Sequence, residues 1–290
     1  MKRNPLIDQV NKMYKHLRMG SIDTRRRYKK AMLRFAEWLH SNYGTKKLEN
    51  VSNKHLADYV SHLLSEGNKA SYITTELAAI RYYHDHLANP RYNLERNNSK
   101  LGVPHRKAPG DRAWTQEEFE ALINIAIKQK REWIAEVLHL QKELGLRIHE
   151  VTRLSRNDAE KALAIGELVV KGKGGKIRDT RELTPKAKEV LKSSKERVSR
   201  GEKLFVPPEQ KTHVIIAKIQ NFIYVNRPLR ENGSQKISSH GLRYNFAQQR
   251  YSEIINKSNK AKAEKSVSVE LGHNRPRVTR GYLSCRKGGE

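Results

Sequence analysis

The chain has 290 residues, with 58 lysines and arginines against 31 aspartates and glutamates, and therefore a formal net charge of +27. This charge favours a polyphosphate partner over a small anionic substrate, with a merely soluble basic protein as the alternative. The single cysteine, Cys285, excludes an internal disulfide framework and a cysteine-rich zinc site. No apolar run approaches the roughly 20 residues of a membrane-spanning helix, and residues 1–10 lack the apolar stretch of a signal peptide, so we expect a soluble protein of a reducing, intracellular compartment.

Residues 1–90 are predicted to fold as a helical bundle. Apolar side chains recur at spacings of three and four in the segments 24–40, 52–64 and 70–87, as they do on the buried face of a helix. A short helix is also expected near the N-terminus. The positions on the three apolar stripes are Tyr28, Met32, Phe35, Leu39, Leu56, Tyr59, Val60, Leu63, Leu64, Ile73, Leu77, Ile80 and His84.

Residues 91–112 contain proline and glycine and show little periodicity, so they are predicted to be a linker. A second domain is predicted over 113–290, opening with the capping box of Thr115 and Glu118. Its Gly-rich segment 167–183 is predicted to form a β-hairpin, and helical patterns surround it. Because both domains are basic, we predict a two-domain clamp around a long anion, mainly α with a small antiparallel β-sheet.

Two motifs in the second domain pair polar residues three apart on a helix. GLRIHEVTRL places Arg147 beside Glu150, and SSHGLRYNF places His240 beside Arg243. Taken singly, a salt bridge or a solvated helix face explains such a pair. Two guanidiniums can hold the oxygens of a phosphodiester and neutralise the charge of its transition state, and a histidine beside them can transfer a proton.

Three further residues complete this set. Lys173 lies in the turn of the predicted hairpin and can deliver a proton to a leaving oxygen, although Lys171 or Lys176 on the same hairpin can serve instead. His273 and Tyr282 stand nine residues apart near the end of the chain, with arginines between them. A tyrosine hydroxyl can attack phosphorus and keep the phosphoryl group as an ester, whereas the alternative for Tyr282 is to pack a terminal helix.

The ordered set LGLRIHE, GKGGK, HGLR, LGH and a tyrosine nine residues after that histidine resembles the tyrosine recombinases, the phage-type integrase family. The resemblance implies that Arg147 and Arg243 clamp the scissile phosphate. It also implies that His240 handles a proton and that Tyr282 is the nucleophile. Glu150 would support the site without reacting.

Two more roles follow from the same resemblance. Lys173 would be the general acid toward the leaving 5′ oxygen, and His273 would hydrogen-bond the scissile phosphate. The resemblance implies no metal and no other cofactor. His84 and His86 are not expected to bind a metal, because their spacing does not place them on one face of a helix.

The resemblance extends more loosely to residues from about 18 to 90, which it implies are a SAM-like core-binding domain that grips the other face of DNA. The arginine run 25–27 is predicted to contact phosphates, with a solvated helix edge as the alternative. The helix expected from Ser71 to Leu87 is the candidate for base contacts. The predicted DNA-binding residues are Arg25, Arg26, Arg27, Thr74, Thr75 and Arg81.

The implied activity is site-specific DNA recombination through a 3′-phosphotyrosyl intermediate, as in the integration of a mobile genetic element. The implied partners are double-stranded DNA core sites, a homo-tetramer assembled on them and an accessory directionality protein, with no membrane. The implied location is the prokaryotic cytoplasm, at the nucleoid. Two alternatives remain, a type IB-like topoisomerase that reseals one duplex and a catalytically silent DNA-binding or architectural protein.

Overall fold

The computed structural model describes residues 4–18, 20–105, 110–172, 175, 177–229, 236–273 and 276–283. The chain divides into two compact units, Met1–Lys107 and Ala108–Glu290. The described part is mostly helical with one two-stranded antiparallel sheet, which confirms the predicted fold class. None of the helices in these ranges combines the length and apolar character needed to cross a bilayer.

The first unit is a bundle of helices, as the apolar spacing predicts. Of the thirteen positions on the predicted stripes, all are buried except Tyr28 and Leu64, which are half-buried. A charged residue, Glu76, also lies in this core, where it pairs with Arg34 at 2.5 Å and accepts a hydrogen bond from the Tyr59 hydroxyl at 3.2 Å. The described helices of this unit are α1 (Pro5–His16), α2 (Ile22–Tyr43), α3 (Asn53–Ser65) and α4 (Ala70–His84).

Much of the segment expected to be a linker is folded against this bundle. Leu94, Leu101 and Val103 belong to the core of the first unit. Arg81 of α4 donates from Nε to the carbonyl of Glu95 at 2.8 Å and from Nη1 to Oδ1 of Asn98 at 2.7 Å. Its apolar residues follow no helical or strand period, because turns stabilised by side-chain hydrogen bonds determine where they lie.

The second unit combines a β-hairpin with helices. Strands β1 (Glu167–Lys171) and β2 (Ile177–Glu182) pair antiparallel, which confirms the predicted hairpin. Leu168 and Val170 face the core, which is why the strand alternates between buried and exposed residues. The described helices of this unit are α5 (Gln116–Lys128), α6 (Glu132–Leu144), α7 (Ile148–Val151), α8 (Arg156–Ile165), α9 (Pro185–Glu196), α10 (Thr212–Asn226), α11 (Gly241–Ile255), α12 (Lys260–Glu270) and α13 (Pro276–Leu283).

The start of α11 is fixed by contact with Trp114. The indole donates from Nε1 to the Ser238 carbonyl at 2.9 Å, and the Trp114 backbone N–H donates to Oδ1 of Asn245 at 2.8 Å. Gly241, the first residue of α11, lies so close that an added Cβ would be 2.3 Å from the Arg112 carbonyl oxygen and 2.6 Å from the indole. Only glycine therefore fits at this position of HGLR, because a Cβ would clash with Arg112 and Trp114.

Gly241→Ala is expected to lower the free energy of unfolding by about 1–3 kcal/mol, because the clash with backbone and indole outweighs the better helix propensity of alanine. Urea unfolding of the whole chain measures it. Gly281→Ala is the control, since nothing lies within 4 Å of the added Cβ. It is expected to leave stability unchanged or to raise it by up to about 1 kcal/mol. Equal losses in the two variants would contradict this account of Gly241.

Candidate active site

Five of the six predicted site residues converge in the second unit. Arg147 caps the N-terminus of α7, His240 and Arg243 lie at the start of α11, His273 follows α12, and Tyr282 lies on α13. Hydrogen bonds and ring contacts connect four of them, and Arg147 acts on Arg243 electrostatically. The sixth, Lys173, lies outside the described residues, as does the alternative Lys176.

Arg243 is the most deeply buried of these side chains, with 1% of its surface exposed. Its Nη1 donates to the Gly145 carbonyl and its Nη2 to the Leu271 carbonyl, so the guanidinium joins the end of α6 to the end of α12. Gly145 presents its carbonyl from a left-handed turn, with φ of 60° and the Phe246 ring against it. Burial, reinforced by Arg147, lowers the pKa of Arg243 to about 10, so the group stays charged at neutral pH.

Glu150 orients Arg147 through two hydrogen bonds. Its Oε2 accepts the Arg147 backbone N–H at 2.8 Å, and its Oε1 accepts from Arg147 Nη1 at 2.8 Å. The same Oε2 pairs with Nη2 of Arg178 at 3.0 Å. Burial opposes the charge of this carboxylate, but Arg178 and the Arg147 backbone N–H outweigh burial and lower the pKa of Glu150. The carboxylate therefore stays ionised and holds the half-buried Arg147 in place.

Arg178 was missed by the sequence analysis. It lies on β2, and its Nη1 donates to the Glu270 carbonyl while its Nη2 pairs with Glu150. The period of two along the strand places Arg178 on the same face as the buried Thr180. No signal in the sequence indicated this, because alternation would turn the apolar Ile177 inward, whereas Ile177 is exposed in the structure and Arg178 faces inward.

His273 is fixed on both sides of its ring. Nε2 lies 3.3 Å from Nη2 of Arg243, and Nδ1 lies 3.0 Å from Oγ1 of Thr279 on α13. The backbone N–H of His273 donates to the Ser268 carbonyl at 2.9 Å. Burial, together with Arg243 and Arg147, lowers the pKa of His273 to about 3. The imidazole is therefore neutral at neutral pH.

Tyr282 places its hydroxyl 3.0 Å from Nε2 of His240. Its ring stacks on Tyr244 with centroids 4.3 Å apart, and 8% of the residue is exposed. Burial, together with Arg243, lowers the pKa of His240 to about 4, so this imidazole is also neutral at neutral pH. Tyr282 thus packs and at the same time faces an imidazole nitrogen that can accept its proton when the ring is protonated on Nδ1, the arrangement that activates a hydroxyl nucleophile.

The assembled group has the chemistry for a phosphodiester. The guanidiniums of Arg147 and Arg243 supply positive charge, two neutral imidazoles can exchange protons, and a phenol stands among them. In the described ranges no cluster of three histidine, cysteine, aspartate or glutamate side chains is arranged to hold a metal ion.

The residues predicted to contact DNA in the first unit differ in exposure. Arg26 and Arg27 are exposed, whereas Arg25 is half-buried with its guanidinium 4.4 Å from the Tyr14 ring centroid. Thr74 is exposed and Thr75 half-buried, and both hydroxyls donate to carbonyls of their own helix.

The prediction that Arg81 contacts bases is contradicted by its position. It is 8% exposed, and its guanidinium is bonded to Glu95 and Asn98 of the folded segment after α4. Its place off the apolar stripe suggested a solvent-facing side chain, but the nonperiodic segment covers it.

The lowered histidine pKa values predict acid sensitivity of the folded chain. An unfolded histidine has a pKa of about 6.5, so between that value and the folded pKa values of about 3–4 the unfolded state binds more protons. This contribution to stability is present above pH about 6.5 and is lost as the pH falls. We expect the free energy of unfolding to be lower at pH 5 than at pH 7, as measured by urea unfolding.

The double substitution His240→Gln and His273→Gln is expected to reduce that slope. It will not abolish the slope, because burial also lowers the pKa of His139 to about 4. His213→Gln, at an exposed position on α10, is the control and is expected to keep the slope. An unchanged slope in the double variant would show that His240 and His273 do not carry the effect.

Two family models match the chain. "Phage integrase, N-terminal SAM-like domain" covers residues 10–89, and "Integrase" covers residues 105–249. The chain is 30% identical over 179 residues to tyrosine recombinase XerC of Vibrio vulnificus, an alignment that covers 58% of this chain and 54% of the relative. This chain thus spans about half the length of that relative. It is 25% identical over 292 residues to XerC of Vibrio parahaemolyticus, with 96% of this chain and 89% of the relative covered.

Solved structures share the fold. A lambda integrase(75–356) dimer bound to a COC′ core site matches with a TM-score of 0.68 and 18% identity, covering 99% of this chain and 96% of that one. The XerH site-specific recombinase bound to palindromic difH substrate matches with a TM-score of 0.64 and 19% identity, covering 95% of this chain and 80% of that one. At these identities the likeness shows the fold alone.

Proposed function

Because this chain belongs to the tyrosine recombinase family, we propose that it is a site-specific DNA recombinase that exchanges strands through a 3′-phosphotyrosyl intermediate. The observation that carries the proposal is the Tyr282 hydroxyl, 3.0 Å from Nε2 of the neutral His240. Arg243 is fixed close to the same histidine and tyrosine, and Arg147 is held beside it. This is a nucleophile with a base and an anion clamp.

In the proposed first step, the Tyr282 oxygen attacks phosphorus and its proton passes to Nε2 of His240. The bond from phosphorus to the 5′ oxygen breaks, and that oxygen takes a proton from Lys173, the general acid that the family resemblance implies. Arg147 and Arg243 neutralise the charge on the non-bridging oxygens, a task that metal ions perform in many other phosphoryl transfers.

In the second step a 5′ hydroxyl of the partner duplex gives its proton to Lys173 and attacks the phosphorus. The bond from phosphorus to the Tyr282 oxygen breaks, that oxygen recovers its proton from His240, and the backbone is restored. The phosphodiester energy is kept in the covalent intermediate, so the exchange needs no nucleotide triphosphate. His273 bonds the phosphate, and Glu150 supports Arg147 without reacting. This supporting role is consistent with the burial of the Glu150 carboxylate and with its ion pairs to Arg147 and Arg178.

The proposed partners follow from this reaction. Double-stranded core sites are the substrate, and a homo-tetramer is needed because recombination joins two duplexes with two cuts in each. An accessory protein sets the direction. We assign DNA contacts to the exposed Arg26 and Arg27 and to Arg25, Thr74 and Thr75 of the first unit. The first unit is then the core-binding domain, the second unit is the catalytic domain, and the enzyme works on the prokaryotic nucleoid or on a mobile element.

A covalent trapping experiment tests the proposal. Core sites are first selected from a random duplex library, and the selected site is then nicked near the cleavage point so that the released fragment diffuses away. The expected result is a protein–DNA adduct that resists denaturation, with the tryptic peptide containing Tyr282 linked to a 3′ phosphate. Two marked sites should then recombine. Relaxation of supercoils without strand transfer would favour a topoisomerase, and binding without any adduct would favour a silent DNA-binding protein.

A further inference from the structure

His273 is held between a group that can only donate hydrogen bonds and a group that can both donate and accept. Nη2 of Arg243 lies 3.3 Å from Nε2, and Oγ1 of Thr279 lies 3.0 Å from Nδ1. Thr279 is fully buried and lies on α13, three residues before Tyr282. The hydroxyl of Thr279 therefore contacts the ring from the helix that carries the proposed nucleophile.

These contacts specify where the imidazole proton lies. A guanidinium has no acceptor atom, so Nε2 of His273 must be the unprotonated nitrogen that receives the Arg243 N–H. The single proton is then on Nδ1, which donates to Oγ1 of Thr279. A doubly protonated ring is disfavoured because burial and the nearby arginines lower the pKa of His273 to about 3.

This tautomer is the wrong one for binding a phosphate. An unprotonated Nε2 and a phosphate oxygen are both acceptors and cannot form a hydrogen bond. If the proton moves to Nε2, Nδ1 loses its proton and becomes a hydrogen-bond acceptor. Its partner must then donate a hydrogen bond, whereas before it accepted one. A threonine hydroxyl carries one donor and two acceptor sites, so Thr279 can satisfy Nδ1 in either state by rotating its O–H bond.

We propose that Thr279 is a positioning residue that lets His273 exchange tautomers, with the proton on Nδ1 in the free protein and on Nε2 when a DNA phosphate enters the site. This inference rests on the proposed function for its second half, the arrival of the phosphate. Thr279 touches neither the phosphate nor the reacting oxygen, and acts through His273 alone.

Nitrogen NMR of protein labelled at histidine tests the tautomers directly. The His273 signals are assigned by comparison with His273→Gln. In the DNA-free protein we expect a protonated Nδ1 and an unprotonated Nε2. In the complex of the Tyr282→Phe variant with a selected core site, we expect the two nitrogens to exchange roles. A proton already on Nε2 in the free protein, or one that stays on Nδ1 in the complex, overturns the proposal.

A matched pair of variants tests the hydroxyl. Thr279→Ser keeps the hydroxyl and is expected to cleave a nicked substrate within about 3-fold of the unaltered chain. Thr279→Val keeps the shape but gives Nδ1 no donor, and is expected to cleave about 10- to 100-fold more slowly with DNA affinity nearly unchanged. Equal losses in the two variants would mean a purely structural role and overturn the proposal.

The two measurements separate the failure of this inference from the failure of the proposed function. If the unaltered chain forms no covalent adduct, the recombinase proposal fails, but the NMR comparison of free and DNA-bound protein still decides the tautomer exchange. If Thr279→Val does not fold, the NMR result on the Thr279→Ser and unaltered chains decides it in the same way.

Discussion

Tyr282→Phe is expected to eliminate covalent attachment to DNA and to leave DNA binding intact. The substitution removes one oxygen atom, the one that lies 3.0 Å from Nε2 of His240, while the ring keeps its stack on Tyr244. Because the proposed phosphotyrosyl bond forms at this oxygen, the rate of adduct formation on a nicked substrate is expected to fall by more than about 10³-fold. Binding, which depends on the basic surfaces of the chain, is expected to change little at constant salt.

Single-turnover cleavage with gel separation of the adduct measures the first effect, and titration of labelled core-site DNA measures the second. Tyr251→Phe is the matched control, because it removes the same atom from a tyrosine on α11 that packs against the same apolar cluster. It is expected to cleave at the normal rate. An adduct that persists in Tyr282→Phe would assign the nucleophile to another residue.

Glu150→Ala is expected to produce the largest loss of stability among the site residues. The carboxylate is fully buried and compensates two guanidiniums, those of Arg147 and Arg178, of which Arg178 is only 8% exposed. Removing it leaves the buried Arg178 without its carboxylate ion-pair partner. Loss of one member of a buried ion pair costs roughly 3–5 kcal/mol, and urea unfolding at neutral pH measures it.

Glu160→Ala is the matched control for that experiment. Glu160 also pairs with an arginine, Arg156, at 2.9 Å, but both side chains are partly exposed to solvent. Its removal is expected to lower the free energy of unfolding far less than the removal of Glu150, because solvent screens an exposed pair. Similar losses for Glu150 and Glu160 would show that the buried carboxylate does not neutralise Arg178 as the geometry indicates.

Most of the fold could be predicted because its signals are periodic. The buried stripes of α2, α3 and α4 repeat every three or four residues, and β1 alternates between buried and exposed side chains. The segment 91–112 was predicted to be a linker because its apolar residues, among them Leu94, Leu101 and Val103, follow no period. Their positions depend on turns and on the distant Arg81, and spacing along the chain contains no information about such contacts.

The candidate site also has one part that the sequence predicted and one part that it did not. Short motifs with fixed spacing predicted Arg147, Arg243, His240, His273 and Tyr282 as site residues, and the structure brings these five together. The groups that hold them were not predicted, because each acts across a large separation in sequence. Examples are the carbonyls of Gly145 and Leu271 for Arg243, the strand residue Arg178 for Glu150, and the hydroxyl of Thr279 for His273.

The hydrogen bond between Tyr282 and His240 joins two residues of one polypeptide, and Arg243 lies in the same polypeptide. No neighbouring copy has to lend a phenol to complete the group. Two inactive chains, one lacking the Tyr282 hydroxyl and one lacking the Arg243 guanidinium, would therefore not restore each other when mixed. Genetic complementation between such alleles is not expected.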